Sequence, residues 1–206
     1  MSQLVQAETV DKSLPRWWAA SLLAVLAVAF LLRVHGLGGE SLDGDELFSL
    51  RMARLPALDG LRAVLRTDYH PPLYYMALKA CLMVTGVGQN SLRCLSLLSG
   101  LLVVGLTAHL GRILFRDVRI ALIGAALVCL SDAQIFYSQH ARSYAMFSSL
   151  VLVMLVILWR AYQKPDDIRV WIAFSAIGLA IVYTHYYGWF YVLSTLPDGV
   201  PFVVEG

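Results

Sequence analysis

The run Trp17–Val34 (WWAASLLAVLAVAFLLRV) carries no charge until Arg33. At 1.5 Å per residue it is about long enough to cross the ~30 Å hydrocarbon core of a bilayer. Further apolar segments follow at Leu73–Val87, Leu92–Phe115, Ile120–Tyr137, Tyr144–Trp159, Val170–Tyr187 and Trp189–Val204. With 59% hydrophobic and only 15% charged residues among 206, the chain reads as an all-α polytopic transmembrane helical bundle rather than a soluble domain. Lys12 and Arg16 precede the first run as they would in a signal peptide. The run is too long for a typical signal core, however, and Arg33, Val34 and His35 follow it where a small-residue cleavage site would stand, so it reads as a retained first span. A net charge of +2 without a polybasic patch argues against nucleic acid as a partner. Cys81, Cys94 and Cys129 lie in apolar segments without metal or CxxC spacing and read as small buried hydrophobes.

Charge asymmetry orders the spans. If every apolar segment crossed, with Lys12 and Arg16 inside, the loops bearing Arg112, Arg116 and Arg119, and Arg160, Lys164 and Arg169, would fall outside, against the positive-inside rule. Treating Leu73–Val87 as non-crossing repairs both loops. That segment is the shortest, has Lys79 in its middle, starts after Pro71-Pro72 and ends at Gly86 and Gly88, as suits a helix lying in the outer interface. The expectation is a single membrane domain of about six spans. His35–Ser91 becomes one long external loop holding two amphipathic pieces, Glu46–Leu55 and Leu58–Leu65, and the interfacial helix.

This arrangement collects the unusual polar residues on the external side: Asp43, Asp45, Glu46, Asp68, His70, Arg93, His140, Arg142, His185 and Tyr186. Four carboxylates crowd Gly39–Leu47 (GESLDGDEL). Carboxylates beside guanidinium groups at a membrane surface suit a reaction in which a carboxylate deprotonates a hydroxyl while cations bind a phosphate leaving group.

The pair Asp45-Glu46, the segments DYHPPLYY (Asp68–Tyr75) and NSLRCL (Asn90–Leu95), YSQHARSY (Tyr137–Tyr144) and THYYG (Thr184–Gly188) resemble, in order and spacing, the amino-terminal part of GT-C-type membrane glycosyltransferases. The likeness is to bacterial relatives of protein O-mannosyltransferases and aminoarabinose transferases. It implies a partial GT-C fold, a polyprenyl-phosphate-linked sugar as donor, an integral protein of the bacterial plasma (inner) membrane, and inverting transfer on the external side. It also implies that Asp45 is the catalytic base and Glu46 its support. Arg93 and Arg142 are the candidates for the donor phosphate, since guanidinium binds phosphate bidentately. His70, His140, Tyr144, His185 and Tyr186 complete the candidate donor and sugar contacts. Many members of the family carry an acidic residue where this chain has His140, so no metal or other cofactor is expected. The family's enzymes continue through further spans, and LPDGVPFVVEG (Leu196–Gly206) interrupts a helix, so a truncated product with little activity alone is a further expectation.

Plainer readings accompany these. Asp43 or Asp45 can cap the next helix, Arg93 and Arg142 can anchor span ends at headgroups, and Tyr183, Tyr186, Tyr187, Trp189 and Tyr191 can form an interfacial aromatic belt. Asp132, just inside the outer end of a span, is costlier to leave unpaired. The rival function is a non-enzymatic one, a small transporter or structural membrane subunit. A transporter places its ionisable groups near mid-span and often shows an inverted repeat, whereas here they gather at one face.

Overall fold

The computed structural model describes residues 15–67 and 71–195, so His70 and Asp68, and the expected helix interruption at Leu196–Gly206, lie outside the described residues. Among the described residues there are ten helices and no strand: α1 (Arg16–Val34), α2 (Gly44–Arg54), α3 (Ala57–Thr67), α4 (Leu73–Thr85), α5 (Gln89–Phe115), α6 (Val118–Leu130), α7 (Asp132–Ser138), α8 (Tyr144–Gln163), α9 (Ile168–Thr184) and α10 (Gly188–Thr195). The chain is an all-α bundle of the membrane type. α1, α5 and α8 are each long and apolar enough to cross a bilayer. α6 and α7 together make a fourth candidate span, bent by 62°. The apolar α9 is shorter, and α4, with 13 residues, extends about 20 Å, short of a ~30 Å core.

α5 is the organising helix; α1, α4, α6, α7 and α8 all pack on it. Small residues permit the close approach. Ala29, Ala108, Ala121 and Ala125 are fully buried where α1, α5 and α6 meet, and a Cβ on Gly111 would stand 3.1 Å from the Ala121 Cα. Around them the outward face is apolar: Leu31, Leu102, Leu127, Leu130, Ile172 and Leu179 are each more than half exposed. Such a surface suits lipid rather than water.

Local chemistry sets the helix starts. Asp43 and Glu46 form a capping box at α2, the Glu46 amide donating to Asp43 Oδ1 at 2.7 Å. Asp117 and Asp167 cap α6 and α9 by accepting from the amides of Arg119 and Arg169. α2, α3 and α4 form a separate apolar cluster with the first turn of α5, built on Met52, Val64, Tyr74, Leu78, Leu82 and Leu92. They stand at one end of the bundle. Arg112 and Arg160 stand in the last turns of α5 and α8, two helices that pack on each other.

The structure departs from the sequence reading at Ile120–Tyr137. Instead of one straight span, the chain breaks at Ser131, whose extended backbone (φ −66°, ψ 117°) ends α6 and begins α7. A break inside an apolar bundle frees carbonyls that lipid cannot satisfy. The fully buried Arg33 meets them: Nη1 donates to Cys129 O at 3.3 Å and Nη2 to Val128 O at 3.5 Å, while Nε donates to Ser138 Oγ at 3.2 Å. A cation at the carboxyl end of a helix also meets the favourable end of its dipole. Gly100 makes room, because a Cβ there would lie 1.9 Å from Ser138 Oγ and 3.2 Å from Arg33 Nε.

Candidate functional site

The two motif-bearing loops, His35–Asp43 before α2 and 139–143 before α8, interlock at one end of the bundle. Gln139 Nε2 donates to the carbonyls of Leu32, Arg33 and His35, at 3.4, 3.2 and 2.8 Å, and so ties the second loop to the end of α1. Ser96 Oγ on α5 donates to Arg142 O at 3.3 Å.

Glu46 is the hub. Its side chain is 1% exposed, and Arg93 grips it from α5 in a bidentate pair, Nε to Oε1 at 2.8 Å and Nη2 to Oε2 at 2.6 Å. The Ala141 amide donates to the same Oε1 at 2.9 Å, and the Asp43 amide to Oε2 at 3.4 Å. Arg93 Nη1 also donates to Leu37 O. First loop, second loop and central helix therefore converge on one carboxylate. Burial acts to raise the Glu46 pKa, but the Arg93 hydrogen bonds and charge and the two backbone amides outweigh it, and the carboxyl sits below the usual range. The acid also compensates a cation held near the amino-terminal end of α5, where the helix dipole is unfavourable to positive charge.

Asp45 is arranged differently. One residue earlier on α2 than Glu46, its side chain is 68% exposed, and its Oδ2 lies 3.3 Å from Arg142 Nη2. Arg142 is only 13% exposed and reaches the Tyr75 hydroxyl with Nη1 at 3.5 Å. This rim holds an accessible carboxylate beside a guanidinium whose contacts are longer than those of Arg93. Tyr75 links the rim to an apolar groove of about 150 Å³ between α2, α3 and α4, lined also by Met52, Val64, Pro72, Met76 and Met83, with Lys79 at its edge. Lys79 Nζ donates to Leu55 O.

The remaining candidates take other places. The His140 ring packs on Phe136 at 4.0 Å with its Nδ1 on Phe136 O at 2.9 Å. Tyr144 and His185 belong to an aromatic group with Tyr137 and Phe147, the Tyr144 and His185 rings 5.6 Å apart. His185 is buried, stacks on Tyr187 at 5.0 Å and accepts the Tyr187 amide on Nδ1 at 3.2 Å. Tyr186 is exposed. Gly188 closes the THYYG segment because a Cβ there would meet the Ile181 backbone at 2.9 Å. Asp132 is exposed in the first turn of α7, where the positive end of the helix dipole favours an acid. Among the described residues no three His, Cys, Asp or Glu side chains are grouped so as to hold a metal ion.

Three residues that sequence reasoning passed over organise the site: Arg33, Gln139 and Tyr75. Arg33 carried a signal as a charge inside a span, and Gln139 and Tyr75 stand within the segments YSQHARSY and DYHPPLYY. No protein-family model, curated protein or solved structure matches this chain.

Proposed function

We propose that the chain binds a lipid-linked sugar phosphate at the Asp45–Arg142 rim and serves glycosyl transfer from it. One observation carries this reading: the exposed Asp45 carboxylate, 3.3 Å from the Arg142 guanidinium, stands beside an apolar groove that Tyr75 shares with it. An amphiphilic phosphate needs those three elements together. The groove takes the apolar chain, Arg142 the phosphate, and Asp45 faces the space left for a sugar and an acceptor hydroxyl. The polyprenyl class of donor and the transfer itself come from the resemblance to GT-C-type glycosyltransferases.

In the reaction the acceptor oxygen forms a bond to the anomeric carbon as the bond from that carbon to the phosphate oxygen breaks, with inversion. The acceptor proton passes to Asp45, and the polyprenyl phosphate leaves on Arg142. A positioned general base contributes ~10²–10⁴-fold. Glu46, first singled out as support for the base, and Arg93, first singled out for the donor phosphate, act in this scheme as the frame. Their mutual bonds of 2.6 and 2.8 Å leave Arg142 as the cation better able to exchange its partner for a phosphate.

The test uses the purified chain in nanodiscs. Binding of a polyprenyl phosphate is measured directly, and release of polyprenyl phosphate from a panel of lipid-linked sugars is followed with hydroxyl acceptors. Arg142→Gln should weaken binding at least tenfold, and Asp45→Asn should leave binding intact while removing any turnover. Binding that is equally strong in Arg142→Gln would sink the assignment.

A further inference from the structure

Among the described residues a second cavity, of about 260 Å³, lies where α5, α6, α7, α8 and α10 meet, and it shares no residue with the groove beside the rim. The break at Ser131 shapes it. Val128 and Gln134 both line the cavity, one from α6 and one from α7. At 3.6 residues per turn, six residues along a straight helix turn through about 600°, so the two side chains would leave it about 120° apart. The 62° bend lets both reach one space. Apolar side chains make most of the wall. Val103 and Val151 are buried, Val128 and Leu152 stand with them, and Phe147 meets Tyr191 edge to face with ring centroids 5.5 Å apart. Tyr191 is exposed and stands at the mouth. Further in, Thr107, Ser148 and Gln134 break the apolar lining, and no lining side chain among the described residues is charged. Thr107 Oγ1 donates to Val103 O at 2.8 Å and Ser148 Oγ to Tyr144 O at 3.0 Å, so both hydroxyls commit their proton to their own helix and offer the cavity an acceptor oxygen alone. The Gln134 side chain has no hydrogen bond among the described residues, and since no buried side-chain nitrogen or oxygen there lacks a partner, its amide is open to the cavity.

We propose that this cavity binds an uncharged lipid bearing a free hydroxyl, of the diacylglycerol class. A lipid chain suits the walls of valine, leucine and aromatic side chains, but a chain alone leaves the Gln134 amide without a partner in a dry, apolar setting, which is unfavourable. A hydroxyl resolves this. Its oxygen accepts from the Gln134 N–H, and its proton goes to the Gln134, Thr107 or Ser148 oxygen. An ionised phosphate does not fit, because no cation lines the cavity to compensate its charge. The volume is just below the ~300 Å³ at which small-molecule sites begin. It takes the hydroxyl end and the first part of a chain, the remainder passing Tyr191 into the bilayer. Neither the cavity nor its ligand depends on the glycosyl-transfer reading.

The experiment places the purified full chain in phosphatidylcholine nanodiscs containing a diacylglycerol with a diazirine in one acyl chain, and maps photolabelling after trypsin. The peptides Cys94–Arg112 and Ser143–Arg160 carry the α5 and α8 walls, whereas Trp17–Arg33 of α1 lines no part of the cavity and reports the surrounding lipid. The expected result is saturable labelling of the first two peptides. Excess unlabelled diacylglycerol should reduce it, while triacylglycerol, which has no hydroxyl, and phosphatidic acid, which is charged, should not. Gln134→Leu should lower that labelling about fivefold, the loss of one hydrogen bond, and leave Trp17–Arg33 unchanged. Its Tm should not fall, because the amide has no partner in the chain to lose. The competition uses the unsubstituted chain, so it decides even where the variant unfolds. Labelling that does not saturate, that triacylglycerol competes as well as diacylglycerol does, or that persists in a folded Gln134→Leu would overturn the proposal.

Discussion

Replacing Glu46 by Gln removes one charge and almost no volume, and so isolates what the buried pair contributes. The two side chains are 1% and 4% exposed, and four donors converge on the two Glu46 oxygens: Arg93 Nε, Arg93 Nη2 and the amides of Ala141 and Asp43. An amide offers a single oxygen, so two of the four donors then face an NH₂ group. Breaking a buried pair on one side costs about 3–5 kcal/mol, because the remaining charge stays buried and uncompensated. At roughly 2–4 °C per kcal/mol for a chain of this size, Tm should fall by about 6–20 °C. The assay is thermal unfolding in detergent, read by reaction of buried Cys129 with a thiol dye in a Cys81→Ser, Cys94→Ser background. Replacing both partners, Glu46→Leu with Arg93→Met, should recover most of the loss, since neither charge is then left behind. The reasoning fails if Glu46→Gln costs less than about 1 kcal/mol, or if the double replacement is less stable than both single ones.

The same carboxylate sets a pH dependence. Its folded pKa is depressed, so its contribution is complete above the ordinary glutamate value of about 4.3 and disappears as pH falls through the lower folded value; acid unfolding of Glu46→Gln should show less slope in that window. Asp43→Ala should cost about 0.5–2 kcal/mol through loss of the α2 cap, whereas Asp45→Asn, on an exposed side chain, should leave Tm within about 2 °C while removing any transfer. Gly100→Ala should destabilise by about 1–3 kcal/mol, because the added methyl displaces Ser138 from beneath Arg33, with Tm as the measurement. Single cysteines replacing Asn90 and Lys164 should label from opposite sides of intact cells; labelling of both from one side would contradict the topology.

The helical class was legible because lipid imposes it. Runs such as Trp17–Val34 and Tyr144–Trp159 reappear as α1 and α8, and the pieces Glu46–Leu55 and Leu58–Leu65 reappear within a few residues as α2 and α3. Their ends were legible too, since caps such as Asp43 are local events. The break at Ser131 was not. The polar pair Ser131-Asp132 marks the place without specifying a bend, and the break is tolerated because Arg33, 96 residues from Cys129, supplies donors for the freed carbonyls.

The candidate site divides in the same way. Sequence alone determined which residue types stand near the span ends, and with them the possibility of acid, cation and aromatic side by side, because hydropathy and capping act over a few residues. Only the tertiary structure decided which partner each charge takes. Asp45 and Glu46 are neighbours in the chain, yet the α-helical turn between them points one carboxylate to the surface and Arg142 and the other into the grip of Arg93, 47 residues away. Arg93 and Arg142, equal candidates by composition, became frame and rim for the same reason. Pairing depends on the distance and burial that helix packing creates, and neither quantity is encoded in local pattern.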